Sequence, residues 1–241
     1  MNASLGRLMR FIATLSALLA AAVLSACGSS GGGTKTADIP SGGAAPTTPT
    51  QAAATPPSTG CKEVQAPKPK PDGGAKKPKA PLDASKTWML TFKTSCGDFT
   101  VKLDLKSAPN ASASMVALAK AGFFKNTIFH RIVPDFVIQG GDPTASGMGG
   151  PGYSTRDKPP KGASYTKGVV AMAKSPQEPA GTAGSQFYVV TGADAGLPPD
   201  YAIIGKVAKG LPVVERIGQL GDANEKPTQT VELYDVTASG S

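Results

Sequence analysis

Short runs of apolar and polar residues dominate the chain from Thr87 onward. Trp88–Phe92 and Phe99–Leu103 predict two β-strands, the second by strict alternation of apolar and polar positions. Gly97, in the segment between them, is typical of a hairpin turn. Similar short runs predict further strands at residues 128–132, 135–139, 169–173, 185–190, 202–207 and 230–236.

Two segments have a helical pattern. Asn110 predicts the N-cap of a helix that continues through Lys120 and ends at Gly122, and a short helix is expected over 211–217. Residues 140–166 are rich in Gly and Pro, and loops of that length usually carry function or are disordered. Many short strands and two helices predict a single, mainly β domain built as a closed or nearly closed antiparallel barrel.

The N-terminus has the pattern of an export signal. Arg7 and Arg10 precede an uncharged stretch, Phe11–Ala26, which is shorter than the roughly 20 residues of a spanning helix. Leu24-Ser25-Ala26-Cys27 resembles the lipobox of bacterial lipoproteins. That resemblance implies a signal peptide over 1–26, acylation of Cys27, palmitate included, and attachment to the extracytoplasmic face of the cell membrane without crossing it. Ordinary secretion with an incidental cysteine is the alternative.

The composition of residues 27–86 differs from that of the rest of the chain. Gly, Ser, Thr, Ala, Pro and Lys dominate, so the segment is expected to be a disordered linker that precedes a domain over 87–241. The net charge of +8 comes mostly from this linker and the signal, because fifteen basic and thirteen acidic side chains follow residue 86. The domain shows no basic cluster typical of nucleic-acid binding.

Three cysteines and one histidine limit the metal and redox chemistry. With Cys27 assigned to lipid, Cys61 and Cys96 form an even pair, which predicts a disulfide in an oxidising compartment; two free thiols are the alternative. One His and two Cys do not make a structural zinc site, and we expect no metal and no cofactor. The run 147–152 fits G-x-G-x-x-G but lacks the strand–helix context of a dinucleotide site.

Four sequence blocks, in order, resemble those of the cyclophilins. They are FHRIVPDFVIQGGDP at 129–143, GVVAMA at 168–173, GTAGSQFY at 181–188 and IGKV at 204–207. The resemblance runs from about Thr87 to Val236. It implies a closed eight-stranded antiparallel barrel capped by two helices, and the activity of a peptidyl-prolyl cis-trans isomerase.

The resemblance also implies the site residues. Arg131 matches the catalytic arginine, and Gln139 is expected to hydrogen-bond the substrate backbone. Substrate binding is assigned to Phe136, Met172, Ala173, Lys174, Gln186, Tyr188, Leu197 and Tyr201. Taken alone, the Met and aromatic positions fit a hydrophobic core equally well.

The chain departs from the family pattern at three positions of this groove. Tyr188 stands where Phe is usual, Tyr201 where many members have His, and Gly196 where many have Trp. The Gly196 position leaves cyclosporin sensitivity open.

The expected function is isomerisation of X-Pro bonds in exported proteins during their folding. The partners are proline-containing polypeptides and, through the acyl anchor, membrane lipid; a monomer is expected. Two alternatives stay open: a binding module that holds proline-containing segments as a chaperone or docking site with incidental turnover, and a structural lipoprotein.

Overall fold

The computed structural model describes residues 59–241. Two helices, α1 (Pro109–Lys120) and α2 (Leu211–Gly218), accompany eleven strands. The strands are β1 (Trp88–Thr94), β2 (Gly97–Leu103), β3 (Thr127–Ile128), β4 (Arg131–Val133), β5 (Val137–Gly140), β6 (Thr155–Arg156), β7 (Val169–Met172), β8 (Thr182–Ala183), β9 (Phe187–Val190), β10 (Ile203–Lys209) and β11 (Glu232–Gly240). The mainly β class with two helices is confirmed.

One curled antiparallel sheet forms most of the fold. Its order is β3-β11-β1-β2-β10-β7-β9-β5-β4, and β6 pairs separately with β8. The prediction of a closed eight-stranded barrel is not confirmed, since the sheet has nine strands and, among residues 59–241, no ladder joins β3 to β4. The predicted strand 128–132 is divided: β3 pairs with β11, β4 pairs with β5, and Phe129 and His130 separate them.

Strands β7 and β9 are apolar on both faces, because each face covers a different cluster. Val170 and Met172 belong to the inner core with Phe187. Val169 and Ala171 alternate with them and belong to a second cluster. We call it the outer cluster; its other buried members are Val137, Tyr165, Tyr188 and Val190. Period-two alternation of a strand thus divides one apolar run between the inner core and the outer cluster.

Helix α1 begins two residues earlier than predicted. Ala108 is the N-cap and Pro109 the first helical residue, so the assignment of Asn110 as the cap is wrong. The free amides of the first turn are satisfied by Asp157, a residue distant in sequence. Its carboxylate accepts hydrogen bonds from the Ala111 amide at 2.6 Å and from the Asn110 side-chain amide at 2.8 Å. A buried carboxylate at the positive end of a helix performs the capping role.

Residues 59–86, here called the strap, lie along the domain without forming a helix or strand. The Lys62 amide donates to the Ser95 carbonyl at 2.8 Å, and a disulfide joins Cys61 to Cys96. The expectation of a disordered linker therefore does not describe this part of the chain. The reason is that backbone groups of the strap bond to the domain, although its side chains supply little apolar area. The predicted signal peptide, Cys27 and residues 27–58 lie outside the described residues.

Within residues 59–241, neither helix has the length and apolar character needed to cross a membrane.

Candidate functional site

A cavity of about 400 Å³ opens on the outer face of the sheet, and we call it the first cavity. Strands β4, β5 and β9, the end of β7 and the segment that follows β9 form its walls. Eight of the ten residues predicted for the site line it: Arg131, Phe136, Gln139, Ala173, Lys174, Tyr188, Leu197 and Tyr201. Gln186 lies in an adjoining cavity.

Met172 does not line either cavity. It is fully buried in the inner core beside Val170, because residues 170 and 172 lie on the inward face of β7. The expectation that Met172 lines the substrate pocket is therefore wrong. Val137, which sequence reasoning missed, lines the first cavity and packs in the outer cluster with Tyr188. Since alternate residues of a strand share a face, Val137 lies on the same face of β5 as Gln139, and this signal could have identified it.

The Arg131 guanidinium is held at the rim of the first cavity from three sides. Its Nε lies 2.6 Å from Glu225 Oε2, and its Nη1 donates to Gln139 Oε1 at 3.3 Å. The Phe136 ring centre is 5.8 Å from the guanidinium carbon. The arginine side chain stays about one-third exposed, so the bound guanidinium still faces the groove.

Glu225 reaches Arg131 from a tight turn between α2 and β11. Asp222 Oδ1 accepts from the amides of Asn224 and Lys226, each at 2.8 Å, and Glu225 adopts a φ of 63°. The Glu225 carbonyl also accepts from the Ile132 amide at 3.0 Å, which ties the turn to β4. The hydrogen bond from Arg131 lowers the pKa of Glu225 below its ordinary value, so the carboxylate stays charged.

Three tyrosines form the aromatic wall. The Tyr188 ring centre lies 5.7 Å from that of Tyr201 and 6.4 Å from that of Tyr165. The Tyr165 hydroxyl donates to the Tyr201 carbonyl at 2.8 Å and accepts from the Tyr201 amide at 3.0 Å. These bonds fix the segment that carries Tyr201. Sequence reasoning missed Tyr165, which lies in the long loop before β7.

The Tyr188 hydroxyl is buried and has no hydrogen-bond partner among the described residues. Burial raises the pKa of this phenol well above its ordinary value, because the phenolate would be desolvated. Tyr188 therefore presents a neutral ring to the cavity.

Lys174 lines the first cavity, but its ammonium group is paired with Asp200. Its Nζ lies 2.6 Å from Asp200 Oδ2 and 5.5 Å from the Tyr201 ring centre, and only 3% of the side chain is exposed. The Lys174 side chain therefore packs against the Tyr201 ring, and Lys174 also lines the first cavity.

A second cavity of about 750 Å³ adjoins the first. The two share Gln139, Ala173 and Lys174, while residues 147–154, Glu178, Gln186 and the strap residue Asp72 belong to the second alone. A polypeptide that occupied both would run across the end of β7.

Hydrogen bonds connect the two cavities through a pair of glutamines. Gln186 Nε2 donates to the carbonyls of Gly147 and Gly149, each at 2.9 Å. Gln186 Oε1 accepts from Gln139 Nε2 at 3.0 Å, and Gln139 in turn accepts from Arg131. We call this series the glutamine relay. It fixes which end of each side-chain amide faces its neighbour.

The arrangement combines an apolar hollow with a fixed cation at its rim. Such a site can hold a small ring and donate a hydrogen bond to an atom beside it. Among residues 59–241, no three His, Cys, Asp or Glu side chains converge as metal ligands.

Comparisons with known proteins agree on one family. The family described as "Cyclophilin type peptidyl-prolyl cis-trans isomerase/CLD" matches residues 89–238. Peptidyl-prolyl cis-trans isomerase cypE of Dictyostelium discoideum is 35% identical over 154 residues, which cover 62% of this chain and 97% of the relative. The isomerase CYP18-2 of Arabidopsis thaliana is 34% identical over 149 residues, 60% of this chain and 89% of the relative.

A solved structure gives the same result. The Cryptosporidium parvum cyclophilin-type isomerase, crystallised in the presence of the dipeptide Ala-Pro, superposes with a TM-score of 0.58 at 31% identity. The alignment covers 63% of this chain and 98% of that chain. The whole strap precedes the segment that the family matches.

Proposed function

We propose, because this chain belongs to the cyclophilin-type peptidyl-prolyl cis-trans isomerase family, that its first cavity receives the proline ring of an X-Pro segment while Arg131 catalyses rotation of the preceding bond. The enzyme is a peptidyl-prolyl cis-trans isomerase.

The reaction needs charge placement and no covalent step. The bond before proline resists rotation because its C–N bond has partial double-bond character, with a barrier of ~18–20 kcal/mol. In the twisted transition state the nitrogen lone pair is localised and accepts a hydrogen bond. An Arg131 N–H directed at that nitrogen stabilises the twisted state more than either planar isomer, which lowers the barrier.

The observation that carries this proposal is the position of Arg131. Its guanidinium lies at the rim of the first cavity, oriented by Glu225 and Gln139 and stacked near Phe136. Because these contacts hold the guanidinium in place before substrate arrives, little reorganisation is needed during the reaction.

The remaining walls fit a proline-containing peptide. Phe136, Val137 and Tyr188 offer apolar contact for the ring, and Leu197 closes one side. We expect Gln139 and the main chain around Lys174 to hydrogen-bond the extended backbone, with Tyr201 at the groove edge.

Gly196 directly precedes Leu197, which lines the first cavity. It is exposed, and a Cβ added there would meet no atom within 4 Å. Since a large side chain is missing at this position, we expect weak inhibition by cyclosporin.

The proposed cellular role rests on the N-terminal sequence. The signal pattern and Cys27 support an acyl-anchored enzyme on the extracytoplasmic face of the membrane, where it would assist folding of exported proteins as a monomer. The Cys61–Cys96 disulfide fits an oxidising compartment.

The test is the rate of cis/trans isomerisation of a short X-Pro peptide. The parent chain should accelerate it strongly, Arg131→Ala should lose most of that acceleration, and Arg156→Ala should keep it, since Arg156 bonds the Ala180 carbonyl outside both cavities. A folded parent without acceleration would favour the peptide-binding module instead.

A further inference from the structure

The strap forms part of the wall of the second cavity. The Gly150 amide donates to Asp72 Oδ1 at 2.7 Å. The Gly73 amide donates to the Gly150 carbonyl at 3.0 Å, and the Ala75 amide to the Pro151 carbonyl at 3.1 Å. These bonds join the strap to the Gly147–Gly150 segment and the residues that follow it.

The strap and the loop approach each other at a pair of glycines with left-handed backbone conformations. Gly73 and Gly152 have φ values of 75° and 84°, and a Cβ at Gly152 would lie 3.1 Å from the Gly73 Cα. Both positions therefore need glycine, and the register of strap against loop is fixed.

A second carboxylate holds the Gly147–Gly150 segment from the inside. Asp142 is fully buried, and its oxygens accept from the Thr144 amide at 2.7 Å and the Gly147 amide at 2.5 Å. Burial alone would raise the pKa of Asp142, but these hydrogen bonds outweigh it and lower the pKa. The segment is thus held between Asp142, inside the family-matched domain, and Asp72, outside it.

The same segment supports the catalytic groove. The Gly147 and Gly149 carbonyls orient Gln186, which orients Gln139, which contacts Arg131. A continuous series of hydrogen bonds therefore runs from the strap carboxylate to the guanidinium.

We propose that Asp72 is a positioning residue for substrate binding. By fixing the Gly150 amide it holds the loop whose carbonyls set the glutamine relay, and it completes the second cavity for the polypeptide segment that flanks the proline. The inference rests on the proposed roles of Arg131 and Gln139. It makes the strap part of the enzyme's binding surface.

The experiment compares full-chain variants on a peptide long enough to enter both cavities. Asp72→Ala should raise KM about fivefold and change kcat less than twofold, because the contacts to the flanking segment loosen while Arg131 stays paired with Glu225. Asp72→Asn should stay near the parent, since its amide oxygen can accept the same N–H. Asp83→Ala is the matched control: Asp83 is an exposed strap carboxylate that bonds Ser85 outside both cavities.

Hydrogen exchange supplies an independent readout. In Asp72→Ala the amides of residues 147–150 should exchange faster while those of α1 are unchanged; if Asp72→Ala does not fold, Asp72→Ser replaces it in both measurements. The proposal is overturned if KM is unchanged in the folded variant, or if Asp72→Asn and Asp72→Ala are equally impaired. An inactive parent would instead refute the proposed function.

Discussion

Replacing Tyr188 by Phe should stabilise the protein. The Tyr188 side chain is 4% exposed, and its hydroxyl has no hydrogen-bond partner among the described residues. Leaving a polar group buried and unpaired costs about 1–3 kcal/mol. Removing the oxygen leaves a void of about 10 Å³, which costs only ~0.2 kcal/mol. The expected gain is therefore about 0.8–2.8 kcal/mol, or a rise in Tm of about 2–11 °C.

Tyr165 provides the matched control, because its hydroxyl is paired. It is fully buried, and it bonds the Tyr201 carbonyl and amide at 2.8 and 3.0 Å. Tyr165→Phe removes the partner of two backbone groups and should destabilise by about 1–3 kcal/mol. The two Tyr→Phe changes are chemically identical and are expected to have opposite signs.

The assay is urea unfolding of both variants beside the parent, with thermal unfolding as a check. The pKa of Tyr188 is raised by burial, so the unfolded chain loses this proton first as pH rises above about 10. The advantage of Tyr188→Phe should therefore grow above pH 10. Isomerase activity should be retained, since the ring remains. Equal destabilisation by both variants would refute the reasoning.

Two further predictions concern carboxylates that act at a distance in sequence. Glu225→Ala should lower kcat/KM about three- to tenfold, because Glu225 orients the Arg131 guanidinium. Its Tm should change little, because an exposed ion pair adds little stability. Glu215→Ala, which breaks the exposed pair with Lys167, is the control and should leave kcat/KM unchanged. Asp157→Ala should lower the free energy of unfolding in urea by about 1–2 kcal/mol, because it uncaps α1. A loss below ~0.5 kcal/mol would contradict the capping role.

The strands and the rim of the first cavity could be predicted from sequence, since alternation and ordered blocks are local signals. Arg131, Gln139 and Tyr188 were placed together because each lies in such a block. Met172 also lies in such a block, but its expected place in the cavity is wrong. The block identifies the strand that contains Met172. Which face of the strand it occupies depends on alternation, and Met172 shares the inward face with Val170.

Other features depend on contacts that no local pattern reveals. Asp157 caps a helix more than forty residues earlier, and Glu225 reaches Arg131 from beyond α2. The strap has the composition of a flexible linker, yet backbone hydrogen bonds and paired glycines at 73 and 152 fix its path. Composition reports side-chain burial and carries little information about such backbone pairing.

The most direct test of the central claim is NMR exchange on an Ala-Pro-containing peptide, because it measures binding and turnover in one sample. With the parent, exchange between the cis and trans resonances should be fast. With Arg131→Ala, the peptide should bind with a similar Kd while catalysed exchange falls about 10²–10³-fold, the usual effect of losing one hydrogen-bond donor to a transition state. Undiminished exchange in a folded Arg131→Ala variant would contradict the role assigned to this arginine.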